Sequence, residues 1–333
     1  MAHQPGRQAP LRTSVALCSW NGEQFIDEQL ESLARQMRVP DELIICDDAS
    51  SDSTIGKLQR FAAKASFTVT IHRNRERLGV ARNFEQAISL CTGELILLAD
   101  QDDVWQPEKI ARIVRAFEQD PEIDCIFTDA ELIDQVGKSM RKGLWRTIGF
   151  DLAEQGMVRM GRALDVLSVH NVATGATMAF HRRILPSVLP FPHMTGLLHD
   201  RWIAISVAAT GRLDCIEEPL ILYRQHRGQH LGAGPESHRL LTWLQEGTAT
   251  GSEQYAAWAT ELELVATHLH ELGIARTHVR GIEDRVNHLR VRAGLPASRI
   301  HRIGAIAREL RNRRYHRFSN GYVSLFKDLL RRI

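Results

Sequence analysis

Five short apolar runs, each followed by a stretch of helical periodicity or by polar loop residues, constrain this chain more than any other feature. They are TSVALCSW (13–20), ELIICDD (42–48), FTVTIHR (67–73), ELILLAD (94–100) and DCIFTDAELI (124–133), rich in the aliphatic and β-branched residues that suit strands. Between them Ile26, Leu30, Leu33 and Met37 recur at helical spacing, as do Ile55, Leu58 and Phe61, then Ala81, Phe84, Ile88 and Cys91. A further helix opens at Pro107, and Ile110, Ile113, Val114 and Phe117 share one of its faces. Strands alternating with helices build βαβ units, and IIC, LILLA and CIF read as strands buried on both sides. The expected fold class is α/β: a mostly parallel, Rossmann-like sheet flanked by helices.

In such sheets ligands sit beyond the carboxyl ends of the strands. Three polar clusters fall there: Ser19 to Asn21, the pair Asp47 and Asp48, and Asp100 to Asp103. Carboxylates this close repel one another unless a cation offsets them. Asp100 and Asp102 are two apart, so on an extended strand end both point to one side. Two oxygens so placed hold a divalent cation, or a cation and a ribose hydroxyl, and oxygen ligation favours Mg²⁺ or Mn²⁺ over zinc. The alternative is that Asp103 caps the next helix and the others are solvated. Asp47 and Asp48 can accept a hydrogen bond from a base's imide N–H; the alternative is a cap for the next helix, at Ser50 or Ser51, which does not require both aspartates. No G-x-G-x-x-G follows the first strand and no G-x-x-x-x-G-K-[ST] occurs, which disfavours a nicotinamide cofactor and a P-loop. The 15 histidines show no H-x-H or H-E-x-x-H spacing, which argues against zinc. Trp20, Trp105 and Trp202 either stack on a base or sugar or pack in the core.

After about residue 135 the alternation weakens, and 135–170 reads as loops and short helices. Residues 171–182 read as a strand, 196–210 as an amphipathic helix with Asp200 near its start, and 212–226 as a final strand pair. A linker is expected at 232–238, then helices over 239–292 and 298–332, separated near Gly294 and Pro296. Five cysteines without C-x-x-C spacing suggest buried free thiols in a reducing compartment. The opening residues lack an apolar signal core, and no window nears the ~18 apolar residues that span a bilayer, so a cytoplasmic protein is expected. Charge is uneven: net +11 from Arg276 to Ile333 and net −9 before it. The tail combines arginines with Tyr322, Val323, Leu325, Phe326, Leu329 and Leu330. Such a basic amphipathic region lies on an anionic membrane or packs on the body; nucleic acid is not the expected partner.

The four segments SVALCSWNGEQFIDEQLESLARQ, ELIICDDASSDST, ERLGVARNFEQAI and GELILLADQDDVWQPEKI occur in the order found in family 2 glycosyltransferases of the GT-A fold, which the chain resembles over about residues 12–230. HDRWIAISVAATG and EPLILYRQH resemble the bacterial polysaccharide rhamnosyltransferase-like members. The resemblance implies that Ser19, Asp48 and the adjacent Asp47 hold the nucleotide's base, and that Gly79 and Asn83 lie in the loop closing over it. It implies Asp100 and Asp102 as the DxD pair toward ribose and metal, and His226 near the diphosphate or metal. Asp200 resembles the catalytic base; His199 stands where family members often carry Glu. The implied activity is inverting, metal-dependent transfer of a sugar from a nucleotide-diphosphate donor (dTDP-rhamnose, or a UDP-sugar) to a surface polysaccharide or lipid-linked glycan. A nucleotidyltransferase and an inactive nucleotide-sugar binder are the alternatives. The expected organisation is a flexible 1–12, a glycosyltransferase domain 13–230 (nucleotide half 13–134, acceptor half 135–230) and a basic helical region 231–333, in the cytoplasm and peripheral to the membrane's inner face.

Overall fold

In the computed structural model, which describes residues 10–192, 198–226 and 251–331, the chain alternates strand and helix through its first third. The order is β1 (Thr13–Ser19), α1 (Ile26–Ala34), β2 (Glu42–Asp47), α2 (Thr54–Ala62), β3 (Thr68–Arg73), α3 (Val80–Leu90), β4 (Leu95–Asp100), β5 (Val104–Trp105) and α4 (Lys109–Gln119). Then come β6 (Cys125–Ile133), β7 (Ser139–Gly143), α5 (Leu144–Ile148), α6 (Leu152–Arg159), α7 (Ala163–Leu167), β8 (Ala179–His181), α8 (Leu185–Val188), α9 (His199–Thr210) and β9 (Leu213–Arg224). Helices α10 (Ser252–Glu271), α11 (Arg276–Ala293), α12 (Arg299–Arg311), α13 (Arg314–Phe318) and α14 (Tyr322–Leu330) follow.

The chain divides into two compact units: 1–144 with 173–191 and 214–227, and 145–172 with 192–213 and 228–333. The first unit holds one sheet of order β3-β2-β1-β4-β8-β6-β9-β5, with β7 beside β6. Strands β3, β2, β1 and β4 are parallel. Every residue of β1 and β2 is buried, as expected of strands covered on both faces, whereas β3 at the edge is exposed at both ends. Beyond β4 the pairings turn antiparallel, at β4–β8, β8–β6, β6–β7 and β9–β5. The parallel expectation therefore describes β1 to β4, where each crossover carries a helix, while beyond them β6 and β7 are joined by a short turn as antiparallel neighbours can be.

Three segments differ from the sequence reading. Within 171–182 only Ala179–His181 forms a strand, because Gly175–Thr177 turns as a 3₁₀ helix just before it. The 212–226 stretch holds one long strand, Leu213–Arg224, with residues 217–219 exposed. Residues 134–138 close a hairpin: Asp134 accepts from the amides of Val136 and Lys138, and Gly137 has φ +82°. That D-x-x-G turn is readable in DQVG once the flanking strands are known. All five cysteines are buried and unbridged. The 232–238 linker and the start of the 239–292 helix lie outside the described residues.

Among the described residues the second unit is helical. Helix α10 packs on α11 with Tyr255, Ala259, Leu262, Val265, Ala266 and Leu269 buried at three- and four-residue spacing. Its interior also holds charge. Arg292 donates to Asp328 (2.7 and 3.2 Å), Ser319 (2.8 Å) and the Tyr255 hydroxyl (2.7 Å), and Tyr315 also donates to Asp328 at 2.9 Å. Nearby His288 bonds Glu309 at 2.7 Å, and Glu309 also accepts from Arg314. Buried ions survive only when hydrogen-bonded partners surround them, which this network supplies.

Candidate active site

The register of the parallel strands decides where the polar clusters meet. Ser19 is opposite Asp47 across β1 and β2, and Cys18 is opposite Asp100 across β1 and β4. The carboxyl ends of three adjacent strands thus carry Ser19, Asp47 and Asp48, and Asp100. Strand alternation then separates the two aspartates of β2's end. Asp47, fully buried, accepts from the Ser19 hydroxyl (2.9 Å), the Ser50 amide (2.9 Å) and the Ser50 hydroxyl (2.5 Å). It fixes the turn after β2. Asp48 reaches the other way, to the loop before α3, accepting from Asn74 Nδ2 (2.9 Å), the Leu78 amide (2.7 Å) and the Gly79 amide (2.8 Å). Gly79 has φ +84°, a left-handed conformation that costs glycine nothing. Asn83 is buried, donates to the Cys46 carbonyl at 2.7 Å and accepts from Asn74, so it ties α3 to the end of β2.

Strand β4 ends at Asp100, and the chain turns over Gln101 and Asp102 rather than staying extended. Gln101 exchanges two hydrogen bonds with the backbone of Trp20, at 2.8 and 3.1 Å, joining this turn to the loop after β1. A side chain at Gly22 would meet the Gln101 amide oxygen at 2.2 Å, so glycine there lets Gln101 cross. Asp102 Oδ2 lies 2.8 Å from His226 Nε2. Asp103 is fully buried; one oxygen accepts the Arg224 amide at 3.0 Å and the other has no hydrogen-bond partner among the described residues. Burial, with the neighbouring Asp102 and Asp100 carboxylates, holds the Asp103 carboxyl well above the usual range.

Arg224 locks the end of β9 onto this turn. Fully buried, it donates to the Asp102 carbonyl (2.8 Å) and to Glu28 (2.7 Å), with its guanidinium 4.9 Å from the Phe25 ring. The His226 ring stacks at a tilt on the same Phe25, centroids 4.7 Å apart. Beneath lies Lys109, its Nζ 2.8 Å from the Ala176 carbonyl and 3.6 Å from the centre of the Trp105 ring. Burial lowers the Lys109 pKa well below the ordinary lysine value, against the pull of Asp103 and Asp100. Sequence reasoning missed Arg224 and Lys109. The available signal was a cation set among apolar neighbours, in LILYRQH and in the helix opening after Pro107. It also missed Arg77, whose guanidinium lies 3.4 Å above the half-exposed Trp20 ring. Trp105 and Trp202 are core residues.

Asp200 belongs to the second unit, in the first turn of α9, where one oxygen accepts the Arg201 amide at 2.6 Å. Arg201 pairs with Glu261 of α10, and Trp202 packs edge-on against His268 at 4.6 Å. Helix α9 is thereby anchored to α10. His199 is buried, and burial holds its imidazole pKa below the ordinary value.

A family model described as "Glycosyl transferase family 2" matches residues 14–185. An uncharacterised protein of Mycobacterium tuberculosis is 27% identical over 218 residues, which cover 64% of this chain; the chain spans 58% of the length of that relative. Among solved structures, residues 1–349 of Staphylococcus aureus TarS bound to UDP-GlcNAc align with a TM-score of 0.59 at 16% identity, over 96% of this chain and 88% of that one. A Pyrobaculum calidifontis mannosyltransferase bound to GDP-mannose and Mn²⁺ aligns with a TM-score of 0.52 at 17% identity, over 98% and 89%. These likenesses show the shared GT-A architecture. With its strand ends, its DQDD turn and a family match over more than half its length, the chain belongs to the family 2 glycosyltransferases.

Proposed function

We propose that the protein transfers a sugar from a nucleotide-diphosphate donor to a hydroxyl of a glycan acceptor, with inversion. The carrying observation is the convergence of Ser19, Asp48 and Asp100 on adjacent strand ends with the Asp102–His226 pair docked beside them. In this reading Asp48 and the loop it organises at Leu78 and Gly79 border the nucleotide, with Ser19 and the Trp20 face toward the base. Asn83 and Asp47 act from behind, holding that loop and the Ser50 turn in place.

Asp102 and His226 offer one carboxylate oxygen and one imidazole nitrogen at a common point, with Asp100 one turn away. Among the described residues no cluster of three such side chains occurs. Two protein ligands suffice for Mg²⁺ or Mn²⁺ when substrate phosphates complete the shell, so the residues fit such an ion. When bound, it offsets charge on the departing diphosphate as a Lewis acid. The chain's own contributions are the fixed DQDD turn, clamped by Arg224, and a base: Asp200, proposed to take the acceptor hydroxyl's proton. The donor is proposed to be dTDP-rhamnose and the acceptor a surface polysaccharide or lipid-linked glycan, on the resemblance of HDRWIAISVAATG and EPLILYRQH to rhamnosyltransferase-like members. The structural neighbours bound to UDP-GlcNAc and GDP-mannose support the donor class.

The test is release of nucleoside diphosphate from a panel of dTDP-, UDP- and GDP-sugars with Mn²⁺, by wild type and Asp200→Asn. The proposal expects turnover of one donor class and a loss of about 10²- to 10⁴-fold in the variant. Equal behaviour of the two proteins points to a nucleotide-sugar binder, and pyrophosphate consumption to a nucleotidyltransferase.

A further inference from the structure

We infer that α12 and α14 form a face that docks on a lipid bilayer carrying anionic head groups. On α12 Ile300, Ile303, Gly304 and Ala307 follow one another at three- and four-residue spacing, and all are exposed; Ile300 is 77% exposed. On α14 Tyr322, Val323, Phe326 and Leu330 form a second exposed ridge, with Phe326 57% exposed. The two helices pack through Ala305, Ile306, Leu310, Leu325 and Leu329, and Arg299 at the start of α12 donates to the Leu330 carbonyl at 3.4 Å. The turn bearing Ile300 thus adjoins the end of α14 bearing Leu330.

Charge on this segment is sorted by depth. Its only two acids between residues 299 and 331, Glu309 and Asp328, are buried at 1% and 0% exposure and paired inward with His288, Arg314 and Arg292. No acid of this segment faces outward: Arg299, His301, Arg308, Arg311 and Arg313 are exposed, and the last three have no side-chain partner among the described residues. Exposed aromatic and aliphatic side chains framed by unpaired arginines fit the boundary between head groups and acyl chains. A second copy meeting this segment face to face would bring no exposed carboxylate of residues 299–331 to Arg308 and Arg311. A nucleic acid would leave Ile300 and Phe326 with nothing apolar to enter. No helix among the described residues is long and apolar enough to cross a membrane, so the contact lies in the interface plane. The inference rests on the second unit's surface alone and does not depend on the proposed sugar transfer.

Flotation of the full chain with vesicles tests it. Wild type is expected to float with phosphatidylglycerol-containing vesicles and not with pure phosphatidylcholine. Arg308→Gln with Arg311→Gln is expected to weaken partition about 30-fold at low salt, about fivefold per cation removed. Ile300→Ser with Phe326→Ser is expected to weaken it as well; all four side chains are exposed, so the melting temperature serves as the folding control. Flotation equal for wild type and both variants overturns the proposal. So does wild type that stays off anionic vesicles, or a concentration-dependent dimer that the Ile300 and Phe326 changes dissolve.

Discussion

Asp48→Asn isolates what the carboxylate after β2 does. In the wild type one oxygen accepts from Asn74 Nδ2 and the Leu78 amide, the other from the Gly79 amide at 2.8 Å. An asparagine has one acceptor oxygen, so keeping two of these bonds turns its NH₂ toward the third N–H. The variant therefore loses one charge-assisted bond and sets two donors face to face, a cost of about 1.5–3 kcal/mol. Because Asp48 is only 3% exposed, water does not readily replace the lost acceptor. If the loop at Leu78 and Gly79 must be ordered to hold nucleotide, that cost appears as roughly 10- to 150-fold weaker binding. Isothermal titration of dTDP and UDP in Mn²⁺ measures it, with amide exchange over residues 76–82 reporting the loop. Unchanged affinity with unchanged exchange in a folded variant would refute the reasoning. Faster exchange without loss of affinity would separate the loop from binding.

Arg292→Met strands the buried Asp328 and should cost about 3–5 kcal/mol in denaturant unfolding, whereas Arg292→Met with Asp328→Leu should recover much of that loss. Acidification should weaken the second unit. Burial holds His288 below the ordinary histidine pKa, so its stabilising contribution is present above about pH 6.5 and lost as pH falls further. Burial raises Glu309, but hydrogen bonds from His288 and Arg314 outweigh it and leave the carboxyl lowered, so its contribution too is lost on acidification, at lower pH. Melting temperatures from pH 7.5 to 4.5 should fall, and His288→Phe should flatten the upper part of that fall. Chelation should abolish turnover and Mn²⁺ restore it, and His226→Gln should raise the Mn²⁺ needed for half-activity about 10- to 100-fold.

The strands of the nucleotide half were legible because β1, β2 and β4 are buried on both faces, which forces continuous aliphatic runs. So was the convergence of Ser19, Asp47 and Asp100, since a parallel sheet aligns its carboxyl ends. Strands β5 and β7 were not, and β8 was legible only as the end of a longer expected strand over 171–182. They are two to five residues long and exist because β9, β6 and β4 offer open edges to them, a tertiary condition that no local pattern records. Nor could spacing tell Asp47 from Asp48: both end the same strand, and only the fold shows one turned to Ser50 and the other to the Gly79 loop. Arg224 and Lys109 were hidden for a related reason, since a buried cation is recognised by its partners and those lie far off in sequence, at Glu28, Asp102 and Ala176.

A crystal soaked with Mn²⁺ and dTDP, with anomalous scattering recorded for the manganese, bears most directly on the central claim. The account predicts a peak within coordination distance of Asp102 and His226, bridged by the diphosphate, with the base along Ser19 and Asp48. Manganese bound elsewhere, or a nucleotide seated away from the ends of β1, β2 and β4, would contradict it.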